Sequence, residues 1–536
     1  MKVAILDGYV DEPSCLGVPP YVAPYPRYIY GMLKCLKIEA EYVTIDLYRQ
    51  SKEIQNKLSS FDLVVVIAGI AVPGKYLGGK PLSLKELYSL RFKKSVLVGP
   101  ITLELTKKDR KNLEYLEYEI VDFPFEEKLF EYLIKFLKRD AKFSLDKFAI
   151  LGSEVVKKHP EYPYLICEIE SYRGCYWGKC SFCIERIHGE PEMRNPKAVL
   201  DEIESLYNTG IRHFRLGRQT DFLTYMADFS YDVPKPNAEF MKSFHREIWK
   251  RCPKIKVLHL DNINPKTIAE YPGESEKIIK TIVTHQTPGN VAAMGLESAD
   301  ERVIKQNNLA ANVDEVRFAI ESINKYGRFV GYNGLPYFLP GINFVIGLKG
   351  ETKKTFEKNF EFLKEILDAG LLLRRINIRQ VKIFENTPMH KFGYKNVNRH
   401  KKYFKSFKKR VREEIDKPML KKLVPVGRKL VNLRCEVNDK RITYARQLAT
   451  YPLLVGVIGK YEKNTFLDAR VIDYGMRSIM AIEPLNINSA EPWQLEYLIS
   501  KKLVAKVILN RPYKSIEDVK EVLKDNFQRV KDFIYV

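Results

Sequence analysis

Twice along this chain, short runs of branched apolar residues alternate with longer stretches whose apolar residues recur three and four apart. That alternation restricts the fold more than any other feature. Apolar runs of four to eight residues read as strands buried on both faces, and the 3.6-residue period between them reads as covering helices. In residues 1–150 the strand candidates are KVAILD, EAEYVTID, LVVVIAGI and KSVLVGP, with helical spacing at Tyr25–Leu36, Leu82–Leu90 and Phe125–Lys138. The pattern predicts an α/β, doubly wound, Rossmann-like domain. A linker rich in Lys, Pro and Tyr is expected near 153–163.

From 161 to 392 the alternation returns, with LICEIES, HFRLGRQ, KVLHLD, VAAMGLES, GINFVIGL and INIRQVKIF as six strand candidates. Between the first two, NPKAVLDEIESLYNTG places Leu200, Ile203 and Leu206 on one helix face and ends at Gly210. Six strand–helix units predict a partial (β/α)6 barrel, whose working end is the set of loops after the strands. Three smaller units are expected beyond it: a basic helical segment over 393–436, a small β unit over 437–483 and a helical unit over 484–536.

Composition enters as a set of exclusions. The chain has 536 residues, 45% apolar and 12% aromatic, which rules out a disordered protein. The longest apolar run, LVVVIAGIAV at 63–72, is far short of the roughly 20 residues that cross a bilayer. The start MKVAILDGY carries Asp7 and reads as a strand, so no membrane partner is expected. Five of the eight cysteines (Cys15, Cys35, Cys167, Cys252 and Cys435) are scattered, which predicts a cytoplasmic protein with one thiolate site and no disulfide framework. The net charge of +22 is concentrated in 395–434, where 15 Lys or Arg face three acids. Interleaved with Tyr403, Phe404 and Phe407, these cations would suit a nucleic-acid backbone; the competing reading is an amphipathic helix whose aromatics pack on the barrel.

The chemistry-bearing feature is RGCYWGKCSFC, where Cys175, Cys180 and Cys183 are spaced C-x4-C-x2-C directly after the first barrel strand. Three thiolates within nine residues can wrap a soft-metal centre. Two readings stand. A 4Fe–4S cluster would keep one iron open for a ligand. Zinc would recruit His188 as a fourth ligand, giving a zinc-dependent nucleic-acid-binding protein without redox chemistry. The position at a barrel mouth, with Phe182 as apolar shielding, favours iron.

The block resembles the radical S-adenosylmethionine superfamily, whose usual signature is C-x3-C-x2-C with an aromatic before the last cysteine; here one extra residue lies in the first spacing. ESYRGC, from Glu170 to Cys175, looks like the approach to the cluster in members with a cobalamin-type N-terminal domain. AAMGLESADERVIKQNN resembles the fourth strand and following helix, which implies Glu297 and Ser298 near the ribose or methionine of the cofactor. GINFVIGLKGET is similar to the fifth-strand segment beside adenine, with Gly347 and Gly350 allowing close approach. LGRQTD, 216–221, takes the place of the Gly-Gly-Glu-Pro edge without its residues, and IFENTPM, 383–389, looks like the sixth-strand exit.

The resemblance implies an Fe–S oxidoreductase that cleaves S-adenosylmethionine to a 5′-deoxyadenosyl radical, served by a low-potential electron donor, acting on RNA, a cofactor or a protein. Glu168 and Glu170 alternate with apolar residues on the first strand, so the expectation puts both in the lumen near the cofactor, with Glu170 the candidate for chemistry; structurally paired carboxylates are the alternative. The whole chain resembles an archaeal group with a cobalamin-binding-like N-terminal domain (LGVPPYVAPYPRYIYGMLK, 16–34, at the loop-to-helix position) and a C-terminal helix-hairpin-helix. The first histidine is His159, so a histidine ligand for cobalamin is missing from 1–150. Cys15 and Cys35 are too few for the second cluster of a methylthiotransferase. Over 484–536 the Asn-Ser-Ala opening and Arg511–Val519 fit the hairpin family, but Ile499 and Lys501 stand in place of its glycines.

Overall fold

The computed structural model describes residues 1–12, 15–70 and 77–536. Ala71 and Val72 of the long apolar run, and the side chain of Cys15, lie outside the described set. The first domain contains β1 (Val3–Asp7), β2 (Tyr21–Val22), α1 (Pro24–Cys35), β3 (Ala40–Thr44), β4 (Leu63–Ile67), β5 (Ser95–Val98), β6 (Tyr118–Ile120) and α2 (Glu126–Leu137). All but β2 form one parallel sheet in the order β3-β1-β4-β5-β6. Its strands are apolar on both faces because both faces are covered. Val3 and Ile5 pack with α1 and α2, while Ala4 and Leu6 pack with Leu58, Leu82 and Leu113. The Leu82–Leu90 helix shortens to Leu84–Leu87.

The stretch near 153–163 is no loose linker. Leu145–Leu151 is α3, and the 3-10 turn Ser153–Lys158 after it buries Val155 and Val156. Glycine makes this possible: a Cβ on Gly31 would lie 1.9 Å from the Phe148 carbonyl oxygen, and one on Gly152 would lie 1.8 Å from that of Arg27. The helices therefore cross backbone to backbone.

The six expected barrel strands are all present: β7 (Ile166–Glu170), β8 (His213–Gly217), β9 (Val257–Leu260), β10 (Asn290–Glu297), β11 (Phe338–Ile346) and β12 (Arg375–Gln380). They lie in the row β7-β8-β9 and the row β10-β11-β12, joined where Asn262 bridges Ala293. On the first barrel helix, α4 (Pro196–Asn208), Leu200, Ile203 and Leu206 are buried as expected. Cys167, Ile169, Phe214, Leu216, Leu258 and Leu260 face the helices, which leaves Glu168, Arg215 and His259 on the lumen side. One strand is borrowed. Tyr21 and Val22 of β2 pair in parallel with Ile166 and Cys167, so the first domain extends the barrel row.

After β12, α5 (Lys401–Val411) runs through a π-helical turn, Arg412–Asp416, into α6 (Lys417–Leu423). Phe407, Val411 and Ile415 pack on the barrel. Next comes a closed five-stranded barrel of β13 (Lys429–Asp439), β14 (Ile442–Arg446), β15 (Leu454–Ile458), β16 (Phe466–Tyr474) and β17 (Ser478–Ile482), in the order β13-β14-β15-β17-β16. β13 lies largely in the stretch expected to be basic and helical. A register shift between Leu430 and Leu433, with Asn432 at φ 59°, breaks the period-2 pattern that marks a strand. Short helices over 492–530 pack on the outside of this barrel through Ile458 and Ile482. No described helix is long and apolar enough to cross a membrane.

The first domain is locked to the large barrel by Arg27, which is fully buried and donates to Glu202 on α4 at 2.8 Å. Removing one partner of a buried ion pair costs about 3–5 kcal/mol. Arg27→Ala is expected to lower the thermal-unfolding midpoint by several degrees, with an unchanged midpoint as the contrary result. Buried His159, His245 and His259 are each pushed down to about 4 by desolvation, and His213 to about 3. At these four sites the unfolded chain binds more protons below about pH 6.5, so the stability they contribute is present above that pH and falls towards pH 4.

Candidate functional site

The cysteine loop leaves β7 and is tied down by loops from four other barrel strands. Thr220 Oγ1, after β8, donates to the Gly174 carbonyl at 3.0 Å, and Tyr176 OH meets Thr267 Oγ1, after β9, at 3.0 Å. Beyond β10, Trp177 Nε1 donates to the Asn308 carbonyl at 2.7 Å, and Ser181 donates through its N–H and its hydroxyl to Asn307. Beyond β12, Met389 N donates to the Ser181 carbonyl at 2.9 Å. The LGRQTD and IFENTPM segments thus both hold this loop. Cys180 and Phe182 pack into an apolar cluster with Val303, Leu309, Leu348, Val381 and Met389, beside Val345 of β11.

All three thiols are unpaired and half-buried. Burial raises each above the ordinary thiol range, and the neighbouring charges are acidic: Cys180 feels Cys183 and Glu297, while Cys183 feels Glu185, Cys175 and Glu297. No three metal-ligating side chains among the described residues stand at coordinating distance. Soft donors gathered in a negative field fit a cationic iron–sulfur centre, which supplies the charge that holds them as thiolates. His188 is committed elsewhere: its Nε2 lies 3.1 Å from Arg218 Nη2, and its ring meets the edge of Phe123 with centroids 5.4 Å apart.

Glu297 sits at a β-bulge with φ 56°, its carboxylate over the Cα of Gly295, and burial pushes it up to about 8. It is the expected cofactor residue that the structure brings towards the cysteines. Ser298 is not aimed the same way. It is 1% exposed, and its Oγ accepts from Asp300 N at 3.2 Å to open the next helix. Gly347 and Gly350 both have left-handed φ, 100° and 85°. A Cβ on Gly347 would lie 2.4 Å from Val397, so its freedom serves chain packing.

Glu168 and Glu170 follow the paired alternative. Glu168 is bonded to Arg215, which also holds Asp261, and all three are buried. Glu170 accepts from Arg173 Nε at 2.5 Å, and Arg173 reaches Glu126 of the first domain at 2.6 Å. Burial alone would raise Glu170, but Arg173, with Arg218 and Arg194 beyond, holds it down to about 2. The candidate for chemistry is therefore a strut of the domain junction. Sequence reasoning also missed Arg218, whose partners Glu185 and His188 lie 33 and 30 residues away along the chain.

The first domain closes the mouth. Ile70 and Leu103, from loops after β4 and β5, pack on Ile184 and Phe384, and Lys382 pairs with Glu104.

A (β/α)6 barrel carrying this loop is the architecture of a radical S-adenosylmethionine enzyme, and residues 169–363 match the Radical SAM superfamily. The chain belongs to that superfamily, whose members use a 4Fe–4S cluster and S-adenosylmethionine. It is 62% identical to an uncharacterized protein of Archaeoglobus fulgidus over 97% of each chain. A second relative, the uncharacterized protein MJ0274 of Methanocaldococcus jannaschii, is 44% identical over 89% of this chain and 92% of its own. Among solved structures, the cobalamin-dependent S-adenosylmethionine radical enzyme OxsB shares the fold, with TM-score 0.52 at 12% identity, covering 75% of this chain and 61% of that one.

Asn307 is fully buried and also donates to the Lys349 carbonyl at 2.8 Å, so it fixes the cysteine loop to two barrel loops at once. Asn307→Ala should lower the iron retained per chain after anaerobic gel filtration at least two-fold. The variant removes side-chain hydrogen bonds worth about 1–3 kcal/mol. Full retention would show that the loop is held without it.

Proposed function

We propose that this protein cleaves S-adenosylmethionine reductively and uses the resulting radical to take a hydrogen atom from a substrate in the barrel lumen. The observation that carries the reading is the cysteine loop itself: three unpaired thiols, held over the strand ends by four other barrel loops, in a field that calls for a cation. When bound, the cluster and S-adenosylmethionine supply a 5′-deoxyadenosyl radical, the hard chemical step. Cys175, Cys180 and Cys183 would hold the iron, and Phe182 with its apolar cluster would shield it.

Glu297 is the polar group that the lumen offers beside those ligands, and it would orient the polar part of the cofactor. Ile70 and Leu103 would exclude water from above, as a reactive radical requires. In this reading the first domain contributes that closure and no histidine to a corrinoid. The lumen wall carries Arg215, His259 and Asp261, whose Nε, Nε2 and Oδ2 are buried without a hydrogen-bond partner among the described residues. Groups left in that state are costly unless water or a ligand meets them, which makes this wall the place for a polar substrate.

Anaerobically purified protein should be brown, hold about four irons per chain and release 5′-deoxyadenosine on reduction with S-adenosylmethionine. Cys180→Ala should abolish the release. Colourless protein with one tightly held zinc, or release undiminished in the variant, would overturn the reading.

A further inference from the structure

The strand rows show where the barrel wall is interrupted. β2 and β12 end the barrel rows and are not paired with each other. Between them runs the 447–453 loop of the closed barrel. Tyr21 OH donates to the Ala449 and Thr450 carbonyls at 2.9 and 2.6 Å, and Arg374 Nη2 donates to the Tyr451 carbonyl at 2.5 Å. Tyr451 then reaches into the lumen, its OH donating to Asp261 Oδ1 at 2.9 Å.

Beside this loop the gap is strongly cationic. Ile376 and Ile378 pack towards Phe407, which puts Arg375, Asn377 and Arg379 on the lumen face of β12. Arg375 lies over the Tyr451 ring at 4.1 Å. Lys408 and Arg412, one helical turn apart, bring two more cations to the β12 edge, where Arg412 donates to the Ile376 carbonyl at 3.1 Å. Arg477, in the turn between β16 and β17, completes the group with its side chain 54% exposed. Asp416 is the carboxylate among them, paired with Arg412 and 3.9 Å from Arg477. Burial, and after it the neighbouring cations, holds Arg374 and Arg477 down to about 10, below the ordinary arginine range though still charged at neutral pH. Cations packed this closely repel unless an anion joins them.

The closed barrel indicates which anion. Its strand order, first-second-third-fifth-fourth with the third and fifth parallel, is that of a five-stranded oligonucleotide-binding barrel, which binds single strands through its second and third strands and the loops after its first and fourth. The outer face of the second and third strands is covered here by the C-terminal helices at Ile442 and Ile458. The loop after the fourth strand, which carries Arg477, remains open and faces the gap.

We propose that a single-stranded oligonucleotide binds across the gap between β2 and β12, its phosphodiesters held by Arg379, Lys408, Arg412 and Arg477. Exposed Lys402 and Lys405 continue the basic track along α5. That a nucleotide of this strand is the substrate rests on the radical reading above; the binding itself does not.

The test is fluorescence polarisation of a labelled 12-nucleotide oligoribonucleotide with the full, cluster-loaded chain at several salt concentrations, with ADP and polyglutamate as competitors. Four phosphate contacts predict a log–log salt slope near about −3. Arg379→Gln/Arg477→Gln should weaken binding at least tenfold and flatten the slope by about 1.4. Arg477→Gln alone, at a half-exposed site that does not endanger folding, should cost about half of that flattening. Lys108→Gln/Lys111→Gln, on the far domain, should change neither. Equal binding by all variants would overturn the proposal, as would ADP displacing the strand at equal phosphate concentration, which would indicate a phosphorylated small molecule. Polyglutamate displacing it as readily would also overturn it. Strand binding without 5′-deoxyadenosine release would instead count against the radical reading alone.

Discussion

Glu202 is fully buried on α4 and takes hydrogen bonds from two arginines, Arg27 of the first domain and Arg194 of the segment after the cysteine loop. The arrangement of everything above the barrel depends on it. Arg27 also bonds the Glu168 carbonyl, Arg194 bonds the Glu170 carbonyl at 3.0 Å, and both carbonyls belong to β7, the strand that launches the cysteine loop. A buried carboxylate is stable when charge and hydrogen bonds answer it on every side, and two guanidinium groups do that here. The geometry of the first domain, the root of the cysteine loop and the first barrel helix is thereby set by one side chain. The β2–β7 pairing repeats the tie in the backbone, so the first domain is part of the barrel wall and not an appendage to it.

The site built on this base is composite. No single segment positions the thiols: the loop is pinned by residues after β8, β9, β10 and β12, and the space above it is closed by the first domain. An arrangement of this kind keeps three flexible ligands within reach of one centre before the centre is present, which lowers the ordering cost of binding it. The same arrangement explains why so many carboxylates and arginines near β7 are structural. Glu170 and Glu126 pair with Arg173, and Glu168 pairs with Arg215, so the buried charges of the junction each meet an opposite partner.

What the sequence made legible follows from periodicity and spacing. The six barrel strands are runs of apolar residues, and the cysteine loop is a dense local motif, so both can be read without neighbours. The pairing of Glu168 and Glu170 was not legible in the same way. Alternation correctly put Glu168 on the lumen side, but its partner Arg215 lies 47 residues on, and nothing local distinguishes a paired carboxylate from a catalytic one. Ser298 and Gly347 fit a family pattern that implies cofactor contact, while the structure gives their hydroxyl and backbone freedom to capping and packing. β13 was hidden by its bulge, and the 153–163 stretch by a composition that reads as linker although Val155 and Val156 are core residues.

The net charge of +22 takes on a definite place in the molecule. On sequence alone the basic segment could have been a solvated helix, and part of it is: Phe407, Val411 and Ile415 pack inward while Lys409 and Arg410 meet Glu413 and Glu414. Those intrahelical pairs matter because they show which cations have local partners. Lys408 and Arg412 stand on the other side, towards Arg379 and Arg477, in a group answered by Asp416 alone of the acids that act on Arg477. A chain that neutralises the charges at its domain junction with matched carboxylates, yet gathers cations at the open edge of its barrel, has two different uses for charge. The first holds domains together, and the second leaves a positive field for a ligand to complete.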